Sequence, residues 1–169
     1  MKPWLGSFEL PLVRVSRWEI LFLSGTRDRK SALDTLKKIS PSGGFFQVLS
    51  PSRIGSPAHL AWTAYSTFLS LETGKAHYSK PELEFLVRLA GVSQVEKALP
   101  IVGVTPSTEE VVVIWAGPAG KMKSSTFEKE LKKWGLKPKH LKLGESIHPP
   151  SSWSLGKENF AIEKSALVE

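Results

Sequence analysis

Residues 45–115 read FFQVLSPSRIGSPAHLAWTAYSTFLSLETGKAHYSKPELEFLVRLAGVSQVEKALPIVGVTPSTEEVVVIW, and this stretch decides the fold. It opens on a short apolar run, Phe45–Leu49, of strand length. A loop over Pro51–Pro57 follows, and then a helix from about Ser56 or Pro57 to Glu72, with Pro57 suited to its first turn and Gly74 to its end. Ala58, Ala61, Ala64, Tyr65, Phe68 and Leu69 share one broad face of that helix, and Leu60, Trp62 and Leu71 widen it. His59, Thr63, Ser66 and Ser70 form a polar stripe. Only His59 and Glu72 are ionisable, so the pattern predicts a central helix.

Two more helices are expected downstream. Ser79 and Glu82 have S-x-x-E spacing, with Pro81 in the first turn, ahead of an apolar stripe of Leu83, Leu86, Val87 and Ala90. Glu84 and Arg88 are spaced as an i,i+4 pair, and Gly91 stops that helix. Ser93 and Glu96 repeat the spacing before Val95, Ala98, Leu99 and Val102, and Gly103 closes the segment. Glu110–Ala116 is a continuous Val/Ile run, which predicts a strand covered on both faces. A third box, Ser125 and Glu128, precedes Phe127, Leu131 and Trp134 at i, i+4, i+7, with Gly135 at the end.

Outside this core, Arg17–Leu23 reads as a strand ending at Ser24-Gly25, and Asp28–Ile39 as a helix with an Ala32, Leu33, Leu36, Ile39 stripe. Residues 147–155 are rich in Pro and Ser, and 159–168 reads as a short closing helix through Phe160, Ile162, Ala166 and Leu167. The pattern is that of one domain over 1–169. Trp62, Trp115 and Trp134 fall on core-like positions, and the six tryptophans are too scattered to form a binding stripe.

The chain has no cysteine, which removes disulfide and thiolate chemistry. No apolar stretch reaches the length of a membrane span, and Glu9, Arg14, Arg17 and Glu19 interrupt the apolar pieces near the N-terminus, so no signal peptide is expected. The net charge of +7 favours a polyanionic partner. From 121 to 142 there are eight lysines against two glutamates, a run that reads either as a phosphate-facing patch or as a solvated helix face.

No nucleophile, base and orienting group recur together, and no His, Cys or carboxylate spacing suits a metal. The expectation is therefore a binding module without catalytic residues, cofactor, metal or small-molecule substrate. His59 has two readings: a group that stacks on a base or hydrogen-bonds a ligand at the first turn of a helix, or a half-exposed histidine on the polar stripe. Lys75, His77, Tyr78 and Lys80 place charge beside an aromatic ring between two helices, which suits a single-stranded nucleic-acid end or a solvated turn.

An ordered series of residues carries a family resemblance. It comprises Gln47-Val48, Ile54-Gly55, His59-Leu60 with a run of alanines, Gly74-Lys75, Glu84, Gln94-Val95, Ala98-Leu99, Gly103-Val104 and the strand Val111–Trp115, with FAIEKSALVE at the end. In this order the chain resembles the small kinase-binding subunit of the KEOPS complex, the PRPK-binding protein (TPRKB) family. The resemblance implies an α+β fold, a helical core against a small antiparallel sheet. It implies a noncatalytic, cytoplasmic role in threonylcarbamoyl-adenosine modification of tRNA, with the complex's kinase/ATPase subunit and the tRNA 3′ CCA end as partners. Carried over, Ile54, Gly55, His59 and Lys75, with Tyr78 and Lys80 beside them, would face the tRNA end; Gln94, Val95, Leu99 and Ile162 would face the kinase. The alternative reading is an adaptor that docks on a kinase without touching RNA.

Overall fold

The computed structural model describes residues 13–15, 17–27, 43–139, 141–144 and 162. The helix expected over 28–39, the Pro/Ser-rich stretch 147–155 and all of the closing helix except Ile162 lie outside the described residues. Among the described residues the fold is α+β, with four α-helices and an antiparallel sheet. The chain divides into two compact units. One draws on 1–49 and 104–141, and the other on 50–103 and 142–169.

The first unit is the sheet. Its strands are β1 (Val13–Val15), β2 (Trp18–Thr26), β3 (Phe45–Leu49), β4 (Glu110–Pro118) and the two-residue β5 (Lys137–Pro138). The order is β1-β2-β4-β3. β2 and β4 pair antiparallel along their whole length, from Trp18↔Pro118 to Thr26↔Glu110. β1 and β5 share the other edge of β2, at Trp18–Ile20 and at Gly25–Thr26. Ile20–Leu23 and Val111–Ala116 are all buried, so both faces of the central strands are covered, as the unbroken apolar run predicts. Both strands run longer than their apolar cores, β2 to Thr26 and β4 to Pro118.

Helix α4 (Ser124–Lys133) belongs to the same unit. It buries Phe127 and Leu131, and Phe127 stacks on Phe46 of β3 with ring centroids 5.9 Å apart. Arg27 is buried just after β2. Its guanidinium donates to the carbonyls of Thr105 (2.7 Å) and Pro106 (3.3 Å) and lies over the Trp134 ring. Trp115 is fully buried on β4, and two glycines make its room. A Cβ on Gly44 would lie 2.9 Å from the indole, and one on Gly117 would meet both the indole and the Gly44 backbone.

The second unit holds a short 3-10 turn (Pro51–Arg53) and helices α1 (Pro57–Glu72), α2 (Pro81–Ala90) and α3 (Val95–Val102). α2 packs against both α1 and α3. α1 and α2 end in one way, on the glycines the sequence marks. Gly74 (φ 69) and Gly91 (φ 69) take the left-handed conformation, and the next amide bonds back across the last turn, Lys75 N–H to Ser70 O and Val92 N–H to Val87 O.

Two expectations fail. The three S-x-x-E boxes do not form. α2, α3 and α4 are preceded by Lys80, Gln94 and Lys123, none with a side-chain cap bond. Proline explains the first case: Pro81 takes the first helical position and holds Lys80 extended, which moves the cap one residue past Ser79. The side-chain cap that does form is Ser56, whose Oγ accepts from His59 N–H at 3.2 Å.

The second failure concerns part of α1: Leu60, Ala61, Ala64 and Phe68 are buried as expected, but the buried face extends over the polar stripe and leaves out two large apolar residues. His59, Thr63, Thr67 and Ser70 are buried, while Trp62 and Leu69 are each 43 % exposed. The buried hydroxyls are satisfied within the helix itself: Thr63 donates to His59 O (2.7 Å), Thr67 to Thr63 O (2.8 Å) and Ser70 to Thr67 O (2.9 Å). A hydroxyl that bonds its own helix carries little desolvation cost, so this stripe is free to face inward. Trp62 thus leaves the core positions, whereas Trp115 and Trp134 occupy them.

Gly117→Ala should destabilise the sheet unit by about 1–3 kcal/mol, since neither the Trp115 ring nor the Gly44 backbone can move away cheaply. A urea titration of the variant against the wild type measures it.

Candidate functional site

The residues expected to hold a nucleic-acid end gather at two places, the two ends of α1. Ile54, Gly55 and His59 meet at its start, and Lys75, Tyr78 and Lys80 lie in the connection beyond its end. Sixteen residues at 1.5 Å per residue put these places about 24 Å apart along the helix.

At the first place Ile54 is fully buried and Gly55 half-buried. The Gly55 N–H donates to His59 Nδ1 at 3.0 Å. An accepting Nδ1 on a neutral ring leaves the proton on Nε2. That Nε2 is buried with no partner among the described residues, an orphan donor. Burial lowers the pKa of His59 to about 4, so the ring is neutral at pH 7. His59 is neither half-exposed nor on an open polar stripe. It is a buried, uncharged group that ties the 54–56 loop to the first turn of α1.

At the second place the organising group is Glu84, which is fully buried. Its Oε2 accepts from the backbone N–H of His77 (2.9 Å) and Tyr78 (3.1 Å). Its Oε1 takes the Arg88 Nε–H at 2.8 Å, the i,i+4 pair expected from the spacing, with Ser70 Oγ at the outer limit of a hydrogen bond, 3.5 Å. One carboxylate therefore binds the end of α1, the 74–79 connection and α2. Lys75 and Lys80 stay exposed on the connection that it shapes. Tyr78 is half-buried, and its hydroxyl accepts from Val95 N–H (3.2 Å) and reaches Ser93 O (3.4 Å).

Through Tyr78, a residue expected at the RNA touches Val95, one expected at the kinase. Gln94 is exposed, Val95 half-buried and Leu99 49 % exposed on α3; Ile162 is helical and half-buried. Hydropathy alone missed Trp62 and Leu69. With Leu99 they are the large apolar residues most open to solvent among those described, and the Trp62 and Tyr65 rings lie 6.1 Å apart. The signal that could have found them is the run of Thr and Ser at helical spacing, which can self-bond and so can face inward.

Among the described residues, no group of three or more His, Cys, Asp or Glu is placed to hold a metal ion, and no helix is long and apolar enough to cross a membrane. In comparisons with known proteins, no family model matches the chain and no curated protein matches it.

Two outcomes test this geometry. His59 has a folded pKa below its unfolded value near 6.5, so the unfolded chain binds the extra proton between pH 6.5 and about 4. Its contribution is whole above pH 6.5 and lost as pH falls to about 4, a loss of roughly 3 kcal/mol. Urea midpoints of wild type and His59→Gln across that window should converge as the pH drops. Glu84→Ala should cost about 3–5 kcal/mol, because it leaves Arg88 buried and unpaired and two amides without acceptors. Adding Arg88→Leu should recover part of that loss in a double-mutant cycle.

Proposed function

We propose that this chain is a noncatalytic regulatory subunit of the KEOPS type, acting in threonylcarbamoyl-adenosine modification of tRNA in the cytoplasm. It holds the 3′ CCA end of tRNA and docks on the small kinase/ATPase of the complex. Holding a distant end of the substrate raises the local concentration of the anticodon loop at the catalytic subunit.

One observation carries this reading. Several residues on which the family resemblance rests are joints of one compact unit, while Gln47, Val48 and Val111–Trp115 belong to the sheet unit and Lys75, Gln94 and Leu99 are exposed. Gly55 bonds His59, Gly74 turns the end of α1, Glu84 binds two helices and the connection between them, and Gly103 N–H closes α3 on Leu99 O. A series of residues that builds a shape is a firmer ground for kinship than a series that merely decorates one. In this reading the exposed Lys75 and Lys80 supply charge at the far end of α1. At the start of α1 the half-buried Gly55 and the exposed Pro57 and Ala58 offer backbone and small apolar surface to unstacked bases, over the buried Ile54 and His59.

A second reading, an adaptor that docks on the kinase and leaves RNA to its partners, is favoured by a different observation. The exposed side of α1 carries Trp62, Tyr65 and Leu69 with no formal charge between Pro57 and Leu71, and α3 exposes Leu99. Such surface suits a protein partner better than a phosphate backbone.

Retention of tRNA by the purified chain separates the two. Intact tRNA should be retained, tRNA lacking its CCA end should be retained less, and Lys75→Glu should weaken binding of the intact form. Equal retention of both tRNAs would remove the 3′-end site. On the kinase side, Leu99→Asp should leave the melt within about 0.5 kcal/mol of wild type, as befits an exposed position, while weakening kinase capture at least tenfold. Undiminished capture would take α3 out of the interface.

A further inference from the structure

The charge of this protein is confined. Residues 121–142 hold eight lysines and two glutamates, a net +6 out of +7 for the whole chain. Of that run only Lys142 belongs to the helical unit, where the 3′-end site is proposed, and that unit is neutral by sequence: 50–103 and 142–169 together carry eight basic and eight acidic side chains. A surface that steers and holds a polyanion is thus better supplied by the sheet unit.

The geometry of α4 arranges that charge. Phe127, Leu131 and Trp134 are buried. On a 3.6-residue helix, Lys129, Lys132 and Lys133 then fall within an arc of about 100° on the opposite side. Lys121 and Lys123 precede the helix, and Lys137 and Lys139 follow it on and beside β5; all seven are exposed. Three of them are paired, Lys132 with Glu128, Lys133 with Glu130 and Lys139 with Glu110. Lys132 and Lys133 also stand at the negative end of the helix dipole, which gives them a structural reason. No such reason holds for Lys121, Lys123, Lys129 and Lys137, which have no ion-pair partner among the described residues.

The composition selects the partner. The patch is all lysine, a residue depleted from protein–protein interfaces and common on phosphates. A lipid surface would need apolar residues to insert, and those of α4 are buried.

We infer that the surface formed by α4, the turn before it and β5 is a docking site for the phosphate backbone of a nucleic acid, distinct from the place where a 3′ end is held. The inference rests on the reading of the chain as an RNA-binding subunit, but not on where the 3′ end sits. Binding here is independent of sequence and end structure, and it weakens with salt because releasing condensed counterions gains less entropy as bulk salt rises.

The test is binding of tRNA, intact and CCA-trimmed, across a salt series by wild type and by the triple variant Lys121→Glu, Lys123→Glu, Lys129→Glu, with melts to verify folding. The triple variant should lose at least tenfold in affinity for both tRNAs near 0.1 M salt, roughly, and lower the log–log salt slope by about three. Lys97→Glu, an exposed change on α3, should move the slope less than Lys129→Glu alone. An unchanged slope in the triple variant, or an equal effect of Lys97→Glu, overturns the inference; so does a wild type that binds no RNA. If trimming matters and the triple variant binds as wild type, the 3′-end reading stands and this surface falls. If the triple variant fails and trimming does not matter, this surface stands and the 3′-end reading falls. RNA binding unchanged with loss of retention on anionic lipid vesicles would reassign the patch to a membrane.

Discussion

The helical unit depends on one buried carboxylate. Glu84 is sealed from solvent, and an ion in that position is tolerable only if its lone pairs are taken up. They are, by the Arg88 guanidinium, two backbone amides of the α1–α2 connection and the approach of Ser70. Those groups come from three pieces of chain: α2 itself, the connection and α1. Their common acceptor ties the end of α1, the connection and α2 to one another. The exposed lysines of the connection inherit their positions from a group that never meets solvent.

A second constraint is less visible. The buried side of α1 carries hydroxyls and an imidazole beside Leu60, Ala61, Ala64 and Phe68, while Trp62 and Leu69 are left outside. Threonine and serine bond the carbonyls of their own helix, and His59 takes the Gly55 amide. Among the described residues of this unit the buried polar side chains are satisfied, save for one imidazole N–H. The apolar residues displaced by this arrangement stand outside, and they are what a protein partner would find.

These two features also mark where reading the sequence succeeds and where it stops. The Val/Ile run gave β4, the glycines gave the ends of α1 and α2, and the i,i+4 spacing gave the Glu84–Arg88 pair. All three are local signals with one physical meaning. The S-x-x-E boxes misled because a cap can sit one or two residues from the serine, as at Lys80, Gln94 and Lys123, and the spacing alone does not say which. Hydropathy misled on α1 because it counts a threonine as polar whether or not its hydroxyl is already bonded. Of the expected site, the grouping of Ile54, Gly55 and His59 was legible. That Lys75 lies a helix-length away follows from α1 being one unbroken helix, and the orphan Nε2 of His59 follows from a tautomer that only geometry fixes.

The helical unit is inserted in sequence between β3 and β4. Trp18 must find Pro118 and Thr26 must find Glu110 across the whole of it. Each doubling of an unstructured connection adds only about 0.6 kcal/mol to the entropy of closing it, but such long-range pairing is slow. The helices, by contrast, rest on neighbours close in sequence. On a growing chain they can condense first and shorten the span that the central hairpin-like pair has to bridge. A lesion at Glu84 would then be felt as a delay in the assembly of strands that it never touches.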